Sequence, residues 1–238
     1  MKASDLYEEI RSYCRANADE AVVKKYSRYF KEGYDAYGLS REKLEEKVNS
    51  ILSDKSVNMK LVLSVSRSLI KSGKYEETSF AIRLLNEFSE QFTAATFREI
   101  EKWFQIGIIN WGHTDVICGM LIPPFFEMKI ISLEALSDWC TTKNKYQRRA
   151  VPVSMLALLK TTDDYVPLFD FIEPLMTDSE RVVHQGLGWF LREAWKIKKK
   201  PTERFLLKWK NDAARVIFQY ASEKMTPEQK KRFRKEKK

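Results

Sequence analysis

The chain is poor in the residues that make turns. It holds 8 Gly and 7 Pro in 238 positions, fewer than a β-sandwich or barrel of this length uses. Histidine is scarcer. With only His113 and His184 a histidine-rich metal site is out of reach, and no glycine-rich phosphate loop, HExxH, DxDxDG or Gly-x-Ser-x-Gly occurs. Those absences remove most common enzyme classes and leave no metal or cofactor implied by motif. Three cysteines, Cys14, Cys118 and Cys140, are odd in number, widely spaced and without a CxxC pattern. They argue against a disulfide framework or zinc ribbon and suit a reducing compartment. There is no run of eighteen apolar residues, and Met1-Lys2-Ala3-Ser4-Asp5-Leu6 lacks the apolar core of a signal peptide. The expectation is a cytoplasmic monomer without membrane contact.

What the chain has is positive charge. Lys and Arg number 42 against 33 Asp and Glu, a net +9. A surplus of this size favours phosphate backbones or anionic membranes through counterion release and long-range steering, and says nothing about fold. Hydrophobic residues, at 44%, are enough for a real core.

Apolar residues recur at helical spacing from end to end. Leu6, Ile10 and Tyr13 mark a first helix, and a second run leads from Ala18 through Tyr26 to Tyr29 and Phe30. After a break at Gly33 to Gly38, Ser40 caps a helix carrying Leu44, Val48, Ile51 and Leu52. Further helices are expected from Val57 to Ile70, Tyr75 to Phe88, Thr93 to Ile106, Val116 to Ile122, Phe125 to Trp139, Gln147 to Leu159 and Tyr165 to Met176. A long one runs from about Ser179 to Lys199, and Pro201 then fits a first turn before Arg204 to Trp209 and Ala213 to Ala221. No useful strand-period alternation competes. The fold class is therefore all-α, and successive helices of similar length without heptads suggest a superhelical solenoid of antiparallel helix pairs with a basic concave face. One such domain is expected over residues 1–225, followed by a basic tail at 226–238.

Candidate functional residues stand out by local context. In Asn110-Trp111-Gly112-His113-Thr114-Asp115 an indole precedes a carboxylate by four residues. If the segment is helical from Trp111, both share one face, as a site for something cationic held against a polyanion would require. The other reading has Thr114-Asp115 begin the Val116 helix, with the acid favoured there by helix polarity. In His184-Gln185-Gly186-Leu187-Gly188-Trp189-Phe190-Leu191-Arg192-Glu193 two glycines sit inside a helix, each costing about 1 kcal/mol relative to alanine. They allow close approach, by a neighbouring helix or by a nucleic-acid strand. Arg148 and Arg149 open an apolar helix, where helix polarity gives cations no benefit, so at least one is expected to have an anionic partner. Lys198, Lys199 and Lys200 follow the long helix, beside Trp189 and Arg192. The terminal run Lys230, Lys231, Arg232, Arg234, Lys235, Lys237 and Lys238 reads as a solvated tail or as phosphate contacts.

The ordered set Arg28-Tyr29-Phe30 with Gly38, Trp111 with Asp115, Arg149-Ala150 and Gly188-Trp189-Phe190-Leu191-Arg192-Glu193 resembles the AlkD-type DNA glycosylases, which are built from HEAT-like repeats. The anchors span about residues 28 to 193. The resemblance implies a metal-free, monofunctional enzyme that excises cationic N3- and N7-alkylated purines from double-stranded DNA lying along the concave face. Carried over by motif, Asp115 is the catalytic carboxylate and Trp111 and Trp189 are aromatic walls. Tyr29 is a further wall and Arg149 a DNA contact. Arg148, Arg192, His113, Lys198 and Lys199 join the expected DNA-binding set. Each aromatic residue also has a packing role open to it, Tyr29 within a cluster with Tyr26, Phe30 and Tyr34. Trp103, Trp139, Trp195 and Trp209 are assigned to the core.

The departure from the family pattern is Gly112-His113, where an acidic residue usually follows the tryptophan. Glycine is expected to loosen the backbone there. His113 adds a titratable group that would assist water activation, contact DNA or pack. The alternative function is a non-catalytic HEAT-type module binding damaged or branched DNA or a protein.

Overall fold

The computed structural model describes residues 1–236; Lys237 and Lys238 of the basic run lie outside the described residues. The described chain is helical, with no strand, and its internal contacts divide into two compact units, Met1–Phe125 and Phe126–Lys238.

In the first unit α1 (Ala3–Ala16) buries Leu6, Ile10 and Cys14 completely, a stripe of four-residue spacing that faces inward. Next come α2 (Glu20–Ser27), α3 (Arg41–Leu52), α4 (Met59–Lys71) and α5 (Tyr75–Asn86). Ser40 caps α3 by accepting from Lys43 N at 3.3 Å, and Asn58 caps α4 by accepting from Leu61 N at 3.0 Å. The centre of the unit is α5. It packs against α4, α3 and α1 and buries Phe80, Ala81, Ile82, Leu84 and Leu85. A reciprocal Thr93–Thr96 cap starts α6 (Ala94–Ile106), which buries Phe97, Ile100, Trp103 and Phe104. Then follow α7 (Trp111–Val116), a wide π-helical turn at Ile117–Leu121, and α8 (Pro123–Glu127), within which the division at Phe125 falls.

Two differences from the sequence reading have simple causes. The second helix stops at Ser27, so Tyr29 and Phe30 lie in turns, Phe30 N bonding back to Ser27 O at 3.0 Å. The segment Phe125 to Trp139 is not one helix. It breaks after Glu127, passes through Lys129 at φ 55, and resumes as a 3-10 helix over Leu133–Thr141. The breaks at Gly33 and Gly38 are as expected, with φ of 114° and 87°.

The second unit contains α9 (Lys145–Ser154), α10 (Val166–Ile172), α11 (Arg181–Ile197), α12 (Lys199–Trp209), α13 (Arg215–Ala221) and α14 (Pro227–Lys231). Pro201 falls in the first turn of α12, where its missing N–H costs nothing. The middle of this unit is α11, clasped between α9 and α13. A Cβ on Gly188 would lie 2.4 Å from Tyr220 Cβ and 2.8 Å from Ile217 O. Neighbouring helices therefore take up the closeness these glycines allow, with Gly186 3.2 Å from the Arg149 stem by the same measure. The described part of the basic tail has structure of its own. Thr226 and Gln229 cap α14 reciprocally and Phe233 is buried.

Candidate functional site

Asn110 starts α7 by accepting His113 N on its side-chain oxygen at 2.8 Å, and Thr114 Oγ1 donates to Asn110 O at 2.8 Å. The helix therefore begins at Trp111, not at Thr114. Asp115 is one turn into it, on the same face as Trp111, and is half-buried. The π-helical widening that follows immediately is a feature often found beside functional sites.

Trp111 is 39% exposed yet held firmly. Its Nε1 donates to Tyr29 O at 3.1 Å, and its ring stacks on Phe30 with centroids 5.5 Å apart and planes 13° from parallel. Phe30 stacks in turn on Tyr34 at 4.7 Å and meets Tyr75 edge-on at 5.4 Å. These rings wall a groove of about 710 Å³, lined also by Lys25, Arg41 and Arg83 and by Glu42 and Glu76, with Arg41 and Arg83 both paired to Glu45. Tyr29 is 52% exposed, its ring under the Arg28 guanidinium at 4.9 Å, so it is a surface aromatic and not part of a buried cluster. The Tyr75 phenol is pushed above its usual pKa mainly by burial and the Glu76 carboxylate; Asp115 adds a smaller push in the same sense.

Of the three roles open to His113, its surroundings fit packing and not the expected DNA contact or water activation. It is 2% exposed, stacks on Tyr75 with centroids 4.2 Å apart, and donates from Nε2 to Tyr75 O at 3.0 Å while Nδ1 accepts from Asn110 at 2.9 Å. Burial lowers its pKa to about 3. It is a neutral packing residue, neither a DNA contact nor a group that titrates near neutrality. Gly112 does not loosen the backbone either. A Cβ there would sit 3.1 Å from Tyr75 Oη and 3.5 Å from Phe30 Cε1, so glycine lets the aromatic cluster close over the start of α7.

The sequence reading missed Glu76. This buried carboxylate accepts Tyr37 N at 2.8 Å, Gly38 N at 2.7 Å and Leu39 N at 3.1 Å, and Asp35 O accepts Tyr75 N at 2.8 Å. It fixes the loop that leads away from Phe30 and Tyr34 onto the head of α5. Its sequence context, Glu76-Glu77 in the first turn of an amphipathic helix, looks like ordinary helix-dipole acid.

In the second unit Trp189 is half-buried on α11, on the outward stripe that also carries Gln185, Arg192 and Lys196. The cations expected to grip DNA are largely occupied. Arg148 forks onto Asp178, Nε to Oδ2 at 2.6 Å and Nη2 to Oδ1 at 3.3 Å, and also donates to Thr142 O and Lys143 O. Asp178 is the anionic partner the sequence called for, and the pair leaves the guanidinium no fork for a phosphate. Arg149 is 6% exposed and donates to Val182 O at 2.7 Å. Arg192 is shared between Glu193 and Glu223. Lys198 pairs with Asp163 at 2.6 Å in an exposed contact of little strength. Lys199 lies over the Trp195 ring at 5.1 Å. Trp103, Trp139 and Trp195 are buried as expected; Trp209 is half-buried with its Nε1 enclosed.

Among the described residues no group of His, Cys, Asp or Glu is arranged to hold a metal, and no helix is long and apolar enough to cross a membrane. No curated protein matches the chain in sequence. In structure the chain is similar to the predicted DNA alkylation repair enzyme from Enterococcus faecalis, at a TM-score of 0.76 and 15% identity, covering 89% of this chain and 98% of that one. At that identity the likeness speaks for the fold. The family model described as DNA alkylation repair enzyme matches residues 10–225. With nine-tenths of its length inside that match, the chain belongs to the DNA alkylation repair enzyme family.

Proposed function

We propose that the protein is a DNA glycosylase that hydrolyses the N-glycosidic bond of cationic N3- or N7-alkylated purines in duplex DNA. The observation that carries this reading is Trp111: a partly exposed indole, immobilised by Tyr29 O and the Phe30 ring, one helical turn before Asp115. An N-alkylated purine already bears positive charge, so it leaves without being protonated. The C1′–N bond breaks, its electron pair neutralises the purine, and the sugar becomes oxocarbenium-like. A fixed carboxylate stabilises that sugar and orients the water that attacks C1′. Indole faces attract the same cationic centre by about 0.5 to 2 kcal/mol each. Asp115 is assigned the carboxylate role, Trp111 and Trp189 the aromatic walls, and Tyr29 a further surface ring. The net positive charge suits a polyanionic substrate.

The test is base release from a methylated duplex. Wild type is expected to liberate N3- or N7-methylpurine, and Asp115→Asn to lose most of that rate while binding duplex nearly as well. Wild-type release no faster than buffer across neutral pH overturns the enzymatic reading. Duplex binding without release would then leave a non-catalytic helical-repeat module.

A further inference from the structure

We infer that the depression between α13 and the turn after α14 is a phosphate-binding site formed by Arg215, Lys230 and Arg234. Its volume is about 300 Å³, Phe218 and Phe233 line it alongside the three cations, and no acidic residue does. This sets it apart from its surroundings. Arg232 is paired with Glu203 at 2.6 Å, Lys210 with Glu236 at 2.6 Å and Lys224 with Glu223 at 3.3 Å. Among the described residues Arg215, Lys230 and Arg234 are in no ion pair. Lys230 and Arg234 are four apart and line the same pocket, while Lys231, between them in sequence, does not.

Arg215 is pre-oriented. Its Nη1 donates to Phe233 O at 2.7 Å and its guanidinium lies over the Phe218 ring at 4.9 Å. Burial disfavours its charge and lowers its pKa, with no carboxylate to oppose the effect. A guanidinium held this way, partly desolvated and with donors to spare, gains from an incoming anion what it lacks from the protein. Three cations lining one pocket that no acidic residue lines suit a phosphate group. Two sources carry it: the backbone of duplex DNA, and free inorganic phosphate. The DNA source rests on the function proposed above. The site would then give the family's substrate a grip using cations other than Arg148, Arg149, Arg192 and Lys198, which the protein has engaged.

The experiment compares wild type, the double variant Lys230→Gln with Arg234→Gln, and the control Lys231→Gln. Among the described residues neither Lys230 nor Arg234 donates a side-chain hydrogen bond within the protein, so the double variant should melt like wild type. Affinity for an unmodified duplex is measured across a salt series, and inorganic phosphate binding by 31P line broadening. For a backbone phosphate, the double variant flattens the slope of log affinity against log salt by about one unit and Lys231→Gln leaves it near wild type. For free phosphate, the slope is unchanged but the broadening seen with wild type disappears in the double variant. The proposal is overturned if the double variant matches wild type in both measurements, or if Lys231→Gln reproduces its effect. A wild type that binds no duplex would remove the DNA reading and leave the phosphate measurement to decide the pocket.

Discussion

The imidazole of His113 lies face to face with Tyr75 and donates its Nε2 proton to that residue's own carbonyl oxygen. Held neutral with a pKa of about 3 against an ordinary 6.5, it has a folded-state value depressed below its unfolded one. The resulting stabilisation is therefore complete above about pH 6.5 and is lost as pH falls towards 3, at about 1.4 kcal/mol per pH unit. Urea unfolding at pH 7, 6 and 5 should show this slope in wild type and a flatter one in His113→Gln. Equal slopes would mean that the imidazole titrates normally. Base release should show no inflection near pH 6.5 attributable to this residue.

Trp111 separates two contributions. Trp111→Phe keeps a ring on Phe30 but loses the Nε1 donor to Tyr29 O, at a cost of about 1 kcal/mol in stability. Trp111→Ala removes the ring altogether. A wall worth about 0.5 to 2 kcal/mol to a developing cation predicts a loss of about 2- to 30-fold in single-turnover base release for the alanine variant, and less for phenylalanine. An alanine variant as fast as wild type would assign the indole to packing alone.

Arg148→Ala should damage the fold and not the salt response. It leaves Asp178, whose side chain is 7% exposed, without its forked partner, at a cost of about 3 kcal/mol. Chemical denaturation reads that loss. The salt slope of duplex binding should stay at the wild-type value, and a slope flattened by a full unit would restore Arg148 as a phosphate contact.

Gly188→Ala forces a methyl into the α11–α13 contact, where Tyr220 Cβ and Ile217 O already stand within 2.8 Å of its position. Overpacking of this kind costs about 1 to 3 kcal/mol. Gly119→Ala is the matched control, since a Cβ there meets nothing within 4 Å. A lowered melting temperature is expected for the first and an unchanged or slightly raised one for the second.

Helical periodicity made the fold class readable, because buried stripes such as Leu6, Ile10 and Cys14 must recur every turn. The pairing of Trp111 with Asp115 on one face was readable for the same reason, once Asn110 was seen to cap the helix. Partners distant in sequence were not readable. Nothing around Arg148 announces Asp178, thirty residues on, and nothing around Arg192 announces Glu223. The basic clusters therefore looked freer than they are. His113 looked titratable because its sequence neighbours are polar, whereas Tyr75, 38 positions earlier, decides its environment. Among the described residues the terminal cations Lys230 and Arg234 have no carboxylate partner, whereas Lys198 has one in Asp163.

Glu76 gathers three backbone amides from a stretch that has no helix of its own. Amide protons of Tyr37, Gly38 and Leu39 should then resist exchange with solvent deuterium as strongly as those of the core helices, opening only when α5 itself comes apart. The aromatic wall beside Trp111 is in that sense anchored to α5, the helix at the centre of its unit. It would be a rigid platform for a substrate and would need no ordering on contact.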